Sequence, residues 1–232
     1  MPEPKKRKVT QKKKANQKQQ SKVERQPKMW NVMAQPGGGK TTLLIDLAER
    51  KLKSGGRVLI VDPDGAEPAW DKYPRLESFA DLDPNFKGAV VIDYDEKQGK
   101  NNGTFEHLWK ELIKPGKLKN FTLVLDDPNV YSKDRLIPEL TNLLRRKRQH
   151  NYDIVTTSHG WGETPKSFVR FIDIWIIGPT SMGAEDRKDI LGPSKVQLHN
   201  RYKIMADRDA MQAKQSGRNH KWIAFDKDGN QL

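Results

Sequence analysis

Apolar residues in this chain fall in short unbroken runs. Arg57-Val58-Leu59-Ile60-Val61, Gly88-Ala89-Val90-Val91-Ile92-Asp93, Phe121-Thr122-Leu123-Val124-Leu125, Tyr152 through His159 and Phe171 through Ile177 are each mostly apolar or β-branched without alternating, with polar residues at several of their ends and at Asp153 and Asp173. Met29, Trp30, Val32 and Met33 make one more such run. Continuous runs of this length predict strands buried on both faces, as in a parallel sheet. Between them the period changes to that of a helix. Thr41, Thr42, Leu43, Leu44, Ile45, Leu47 and Ala48 predict a helix, followed by a turn at Ser54-Gly55-Gly56. Thr104 to Ile113 predicts a short amphipathic helix with Phe105, Leu108, Trp109 and Leu112 on one face. Ser132 or Asp134 can cap a long helix running to about His150, with Leu136, Ile137, Leu140, Leu143 and Leu144 at helical spacing. Residues 68–87 mix prolines and aromatics, and Lys97 to Gly103 reads as a polar loop. Beyond residue 180 the pattern weakens to short polar helices, then Lys221-Trp222-Ile223-Ala224-Phe225 as an edge strand and a closing Asp-Gly turn. Strands alternating with helices predict an α/β fold, a mostly parallel central sheet with right-handed crossovers flanked by helices.

At 232 residues the chain suits one domain of ordinary size plus tails. The expected division is a basic, disordered tail over 1–27, a core over 28–180, and a C-terminal extension over 181–232 packed on or beside that core. The net charge of +13 is concentrated at the start: residues 1–28 hold eleven Lys/Arg against two Glu, which leaves about +4 for the rest. That segment has too little apolar content to fold alone. It reads as an arm that lies along nucleic-acid phosphates, so DNA is an expected partner; a solvated tail is the alternative. Pro4-Lys5-Lys6-Arg7-Lys8-Val9 also resembles a nuclear import signal, too common a pattern to set localisation. No apolar stretch approaches the ~20 residues of a membrane span. The chain has no cysteine, which excludes disulfides and thiolate metal sites and fits a reducing compartment. Its five histidines form no metal-ligand spacing.

The chemistry concentrates where the first run meets the first helix. Residues 34–42 read Ala34-Gln35-Pro36-Gly37-Gly38-Gly39-Lys40-Thr41-Thr42. This is the phosphate-binding loop pattern Gly-x4-Gly-Lys-[Ser/Thr], with Ala34 in place of the first glycine, set between strand and helix as the motif requires. The glycines can take backbone angles that other residues resist, so their N–H groups converge on phosphate oxygens at the positive end of the helix. Lys40 would place a point charge on the β/γ phosphates, and the Thr41 hydroxyl would ligate Mg²⁺. ATP and Mg²⁺ are therefore the expected ligands.

Asp126-Asp127 end an apolar strand. Beside a triphosphate, Asp126 would hold Mg²⁺ through a water and Asp127 would act as general base toward the attacking water. The run 152–159 ends in Thr157, Ser158 and His159, of which His159 is favoured to contact the γ-phosphate or the water. Asp62 to Glu67 follows another strand and is a candidate to face nucleotide or substrate. Arg145, Arg146 and Arg148 crowd the end of the long helix. Cations there complement the helix dipole, yet a planar guanidinium also suits the γ-phosphate of a neighbouring subunit, and Arg148 is favoured as that finger in trans. Asp226-Lys227-Asp228-Gly229-Asn230 lacks the glycine position and distal Glu of a calcium loop and reads as a turn.

Four of these pieces, the loop at 34–42, the segment 62–67, Asp126-Asp127 and the arginine-ended helix leading to a polar-tipped strand at 145–159, resemble in order the FtsK–HerA superfamily of P-loop ATPases. The resemblance covers roughly residues 28–180. Within the superfamily the chain is most similar to viral genome-packaging ATPases. The resemblance implies a RecA-like, additional-strand P-loop NTPase fold in which the 152–159 strand lies between the P-loop strand and the Asp126 strand. It also implies a homo-oligomeric ring, usually a hexamer, with DNA in its pore, and docking to capsid or portal-vertex proteins. The chain departs from the family at the strand tip, where Ser158 or His159 stands for the usual Gln, at Asp127, where Glu is common, and at Ala34.

The function expected on this basis is an ATP-hydrolysing motor that translocates double-stranded DNA, cytoplasmic or virion-associated. One alternative in the same class is a zonula-occludens-toxin-like phage assembly ATPase. Others are a small-molecule P-loop kinase, which would need no base for water, and a structural nucleic-acid-binding protein that retains the loop without catalysis.

Overall fold

The computed structural model describes residues 26–62, 67–76, 81–93, 110, 112, 118–127 and 138–232. The strands are β1 (Met29–Met33), β2 (Val58–Asp62), β3 (Arg75–Leu76), β4 (Ala89–Asp93), β5 (Thr122–Leu125), β6 (Asp153–Ser158), β7 (Ile174–Ile177) and β8 (Ile223–Asp226). The helices are α1 (Lys40–Lys53), α2 (Pro138–His150), α3 (Lys166–Val169), α4 (Lys188–Leu191) and α5 (Pro193–Ser216). Among the described residues these eight strands share one sheet in the order β3-β4-β2-β5-β6-β1-β7-β8. Every pairing is parallel except β7 with β8.

The unbroken apolar runs find their reason in the two cores. One face of the sheet buries Met29, Met33, Leu59, Val61, Leu123, Leu125, Ile154 and Ile177 under α2 and α5. The other buries Val32, Val58, Ile60, Val124, Val155 and Ile176 together with Leu44 and Ala48 of α1 and Trp70. A strand apolar on both faces has no solvent side to alternate toward. Truncating one of these central residues, Leu59→Ala for example, costs about 2–5 kcal/mol.

The elements lie close to their expected places, with three informative differences. Residues 171–173 precede β7 because Asp173 turns its carboxylate back to accept from the Met29 N–H at 2.8 Å, with the Lys147 ammonium on the same oxygen. The mixed stretch 68–87 contains a short 3-10 turn at Pro68–Trp70 and the two-residue edge strand β3. The short polar helices expected after residue 180 resolve into α4 and one long helix, α5, which starts at Pro193 and ends at the left-handed Gly217. Residues 181–232 thus supply α5 against one face and β8 as the last strand of the sheet. The N-terminal arm through residue 25, most of 104–113, residues 63–66 and the Ser132/Asp134 cap lie outside the described residues.

Candidate functional site

Strand order brings the chemistry together. β6 lies between β5 and β1, as the family resemblance implies, with Leu125 paired to Thr156 and Met33 to Ser158. The parallel strands therefore deliver 34–42, Asp126-Asp127 and Thr157–His159 to one end of the sheet. A cleft of about 640 Å³ opens there. Its walls include Pro36, Gly37, Gly39, Lys40, Thr41 and Thr42 from the loop, Asp126 and Asp127 from beyond β5, Thr157 and His159 from β6, and Asp62 and Glu67 from the end of β2.

The loop is shaped by its glycines. Gly37 and Gly39 have φ of 73° and 80°, the left-handed region that other residues enter at a cost. A Cβ on Gly38 would stand 2.8 Å from the Ala34 methyl and 2.9 Å from the Gln35 carbonyl oxygen. Ala34 is itself fully buried and donates its N–H to the Ser158 carbonyl at 3.2 Å, while Gln35 donates to the Pro179 carbonyl at 2.8 Å. The loop is thus pinned to the strands on either side. Helix α1 begins with no side chain capping its first N–H groups, which suits an anion at that end.

Lys40 Nζ donates to the carbonyls of Ala34 (2.9 Å) and Gln35 (3.3 Å) and lies 2.9 Å from His159 Nδ1. Burial lowers the lysine pKa, and the carboxylates of Asp126, Asp127 and Glu163 oppose that shift. On the acid side, Thr157 Oγ1 donates to Asp126 Oδ1 (2.7 Å) and accepts from the Asp127 N–H (2.9 Å), which also lies 3.1 Å from Asp126 Oδ1. Asp127 holds φ of 38°, a left-handed conformation for a residue with a Cβ, at a cost of about 1–3 kcal/mol that this three-way bonding offsets. Burial raises the Asp126 pKa; the Thr157 and Asp127 hydrogen bonds lower it, and the nearby Glu67 and Asp127 raise it further.

The three polar residues at the end of β6 separate cleanly. Thr157 organises the acids, His159 faces the cleft beside Lys40, and Ser158 is buried with its hydroxyl accepting from Asn31 Nδ2 at 3.0 Å. Asp62 lines the cleft and is ion-paired with Arg75 at 3.2 Å, a guanidinium that also bonds the Glu67 carbonyl and Asp71. Arg148 is exposed near the end of α2, where the chain enters β6, at the end of the sheet opposite the cleft. It does not reach the site of its own chain. Arg145 and Arg146 are likewise exposed. Asp226 accepts hydrogen bonds from the Asp228 and Asn230 N–H groups, so the segment 226–230 is a self-bonded turn.

The donor set fits Mg²⁺. Thr41 supplies a hydroxyl, Asp126 and Asp127 supply carboxylates, and all three line the same cleft. Among the described residues no cluster of three or more His, Cys, Asp or Glu could cage a metal. A hydroxyl and a carboxylate beside a phosphate loop suit an ion whose shell is completed by substrate phosphates and water. Sequence reasoning did not single out Glu163, which acts on Lys40 from the loop after β6; no spacing marks it, because its place depends on how residues 160–165 fold back.

No protein-family model matches this chain, and no curated protein matches it. Its fold does match solved structures. The genome packaging NTPase B204 from Sulfolobus turreted icosahedral virus 2, in complex with AMPPCP, superposes with a TM-score of 0.60 at 15% identity, over 88% of this chain and 95% of that one. The same protein in complex with ATP-gammaS gives 0.60 at 14% identity, over 89% and 95%. B204 from Sulfolobus turreted icosahedral virus, described as its DNA-packaging ATPase, gives 0.58 at 15% identity, over 88% and 95%. What is shared at this identity is the fold, a mostly parallel P-loop NTPase sheet flanked by helices.

Proposed function

We propose that this chain is an ATP-hydrolysing motor that moves double-stranded DNA, of the kind that packages a viral genome into a capsid. One observation carries the reading: Lys40, Thr41, Asp126, Asp127 and His159, drawn from three strand ends, line a single cleft of about 640 Å³. The likeness of the fold to viral packaging NTPases supports it along most of the chain, and the charge of the N-terminal arm supports a nucleic-acid partner.

In this reading the 37–39 backbone and the start of α1 hold the phosphates, and Lys40 carries its charge to the β/γ oxygens. Thr41 and Asp126 would hold Mg²⁺, which would supply positive charge against the phosphates. Asp127, fixed by the Thr157 hydroxyl, takes a proton from the attacking water. His159, within hydrogen-bond distance of Lys40, is assigned to contact the γ-phosphate or the attacking water. Arg148 completes the site of the next subunit in a ring, a hexamer in the simplest case, with DNA in the pore and capsid or portal-vertex proteins as docking partners. The adjacent acids Asp126 and Asp127 beyond β5 favour activation of water over phosphate transfer to a small acceptor.

The test is ATP hydrolysis by purified protein with and without double-stranded DNA, alongside its mass in solution. The reading expects turnover without an added acceptor, stimulation by DNA, an oligomeric mass, and loss of turnover in Lys40→Ala. Hydrolysis that needs a small-molecule acceptor, or DNA binding with no ATP turnover under any assembly condition, refutes the motor.

A further inference from the structure

The acids of the cleft all stand on one flank of the phosphate loop. Asp62, Glu67, Asp126, Asp127, Thr157 and His159 come from the ends of β2, β5 and β6. A nucleotide whose terminal phosphate meets them has its sugar and base on the other flank, past Thr42, where β7 and β8 close the sheet. Trp222 stands there. A Cβ built on Gly39, the last glycine of the loop, would lie 3.9 Å from Trp222 Cζ2. Ile223 pairs with Ile177, which sets Trp222 opposite Gly178. A Cβ on Gly178 would meet the indole at 2.7 Å from Cζ3 and 3.1 Å from Cε3 and Cη2, so only glycine lets the ring lie this close to the backbone.

The ring and the loop share one frame. The Gly178 N–H donates to the Met33 carbonyl and the Gln35 N–H to the Pro179 carbonyl, both at 2.8 Å. The indole is half-buried, with its inner side on the core around β1 and α1 and the His220 ring 5.1 Å away at a 57° tilt. A flat, pre-positioned aromatic surface that remains partly open, beside the loop that takes the phosphates, is what a nucleobase stacks on.

We propose that Trp222 is the stacking platform for the base of the bound nucleotide, and that this site therefore takes purine nucleoside triphosphates in preference to pyrimidine ones. The inference rests on the nucleotide-binding reading of the loop and adds base selection to it. The larger purine surface covers more of the indole, so ATP gains more than CTP from the same ring.

Titration calorimetry of the wild-type protein with ATP, CTP and inorganic tripolyphosphate, each with Mg²⁺, tests it, together with the variants Trp222→Phe and Trp222→Leu. Wild type is expected to bind ATP measurably more tightly than CTP, because the larger purine covers more of the indole. Trp222→Leu is expected to weaken ATP by about 10- to 100-fold, the usual loss of a base–aromatic stack, to weaken CTP less, and to leave tripolyphosphate unchanged. Trp222→Phe is expected to keep most of the ATP affinity. Equal wild-type affinity for ATP and CTP overturns the proposal, and this arm needs no variant to fold. An equal loss of ATP and tripolyphosphate in Trp222→Leu also overturns it, because the ring would then only support the loop. Wild-type protein that binds tripolyphosphate but gains nothing from a base defeats this inference alone, whereas protein that binds neither defeats the nucleotide reading as well.

Discussion

His199 offers a quantitative test of how α5 is held to the sheet. Its side chain is 2% exposed and boxed by aromatic rings, with Trp161 at 4.5 Å, Phe225 at 5.0 Å and Trp175 at 5.4 Å between centroids. Its Nδ1 has no hydrogen-bond partner among the described residues. Burial, with the Lys195 charge adding to it, pushes the pKa down to about 3, against about 6.5 for an exposed histidine. The folded state therefore keeps this ring neutral at pH values where the unfolded chain protonates it. The resulting stability is complete above about pH 6.5 and is lost as pH falls toward 3, at about 1.4 kcal/mol per unit. Between pH 7.5 and 5.0 the loss from His199 alone is about 2 kcal/mol, a large part of the ~5–15 kcal/mol that holds a domain together. Urea unfolding at the two pH values, on wild type and His199→Phe, isolates it. Phenylalanine keeps an aromatic ring in the box and cannot titrate, so the variant should lose about 2 kcal/mol less than wild type over this interval. Identical losses in the two proteins refute the argument, whatever their absolute stabilities.

Four further outcomes follow from the site. Asp127→Asn should lower ATP turnover by about 10²-fold or more in a phosphate-release assay; turnover near that of wild type removes Asp127 as the base. Thr157→Val deletes the hydroxyl that bridges Asp126 and the Asp127 N–H, so it should destabilise the protein by about 1–3 kcal/mol in urea unfolding and cut turnover together. Arg148→Ala should lower turnover by about 10³-fold, and mixing it with Lys40→Ala subunits should restore part of the activity, because some junctions then pair an intact arginine with an intact loop; no recovery at any ratio rules out action in trans. Deleting residues 1–27 should weaken double-stranded DNA binding and flatten its dependence on salt by about 0.9 in log–log slope for each phosphate the arm no longer neutralises, with basal ATPase unchanged.

Much of this architecture was legible in the chain because both of its signals are local. Val58 to Val61 and Thr122 to Leu125 carry no polar alternation, since each strand is covered on both faces. The long helix α5 was hidden for the converse reason. Its buried positions are Val196, His199, Tyr202, Ala206 and Ala213, correctly spaced but built from a histidine, a tyrosine and alanines rather than a leucine stripe. The periodicity of that face becomes visible only once Trp161, Trp175 and Phe225 are in place to cover it. The edge strand β3 has only two residues and no pattern to read.

The sequence by itself determined the phosphate loop. Within its nine consecutive residues, two glycine φ angles and one close approach follow from local sterics, although hydrogen bonds to Ser158 and Pro179 then pin the loop in place. It also determined that Asp126 and Asp127 end a buried strand. Tertiary structure alone decided what meets them. β6 lies between β5 and β1 through backbone hydrogen bonds formed across long stretches of chain, and only that order puts Thr157 on Asp126 and His159 on Lys40. The same holds for Trp222 beside Gly39, which requires β8 to turn antiparallel onto β7. Sheet order follows from which surfaces bury each other, and no run of adjacent residues encodes that choice.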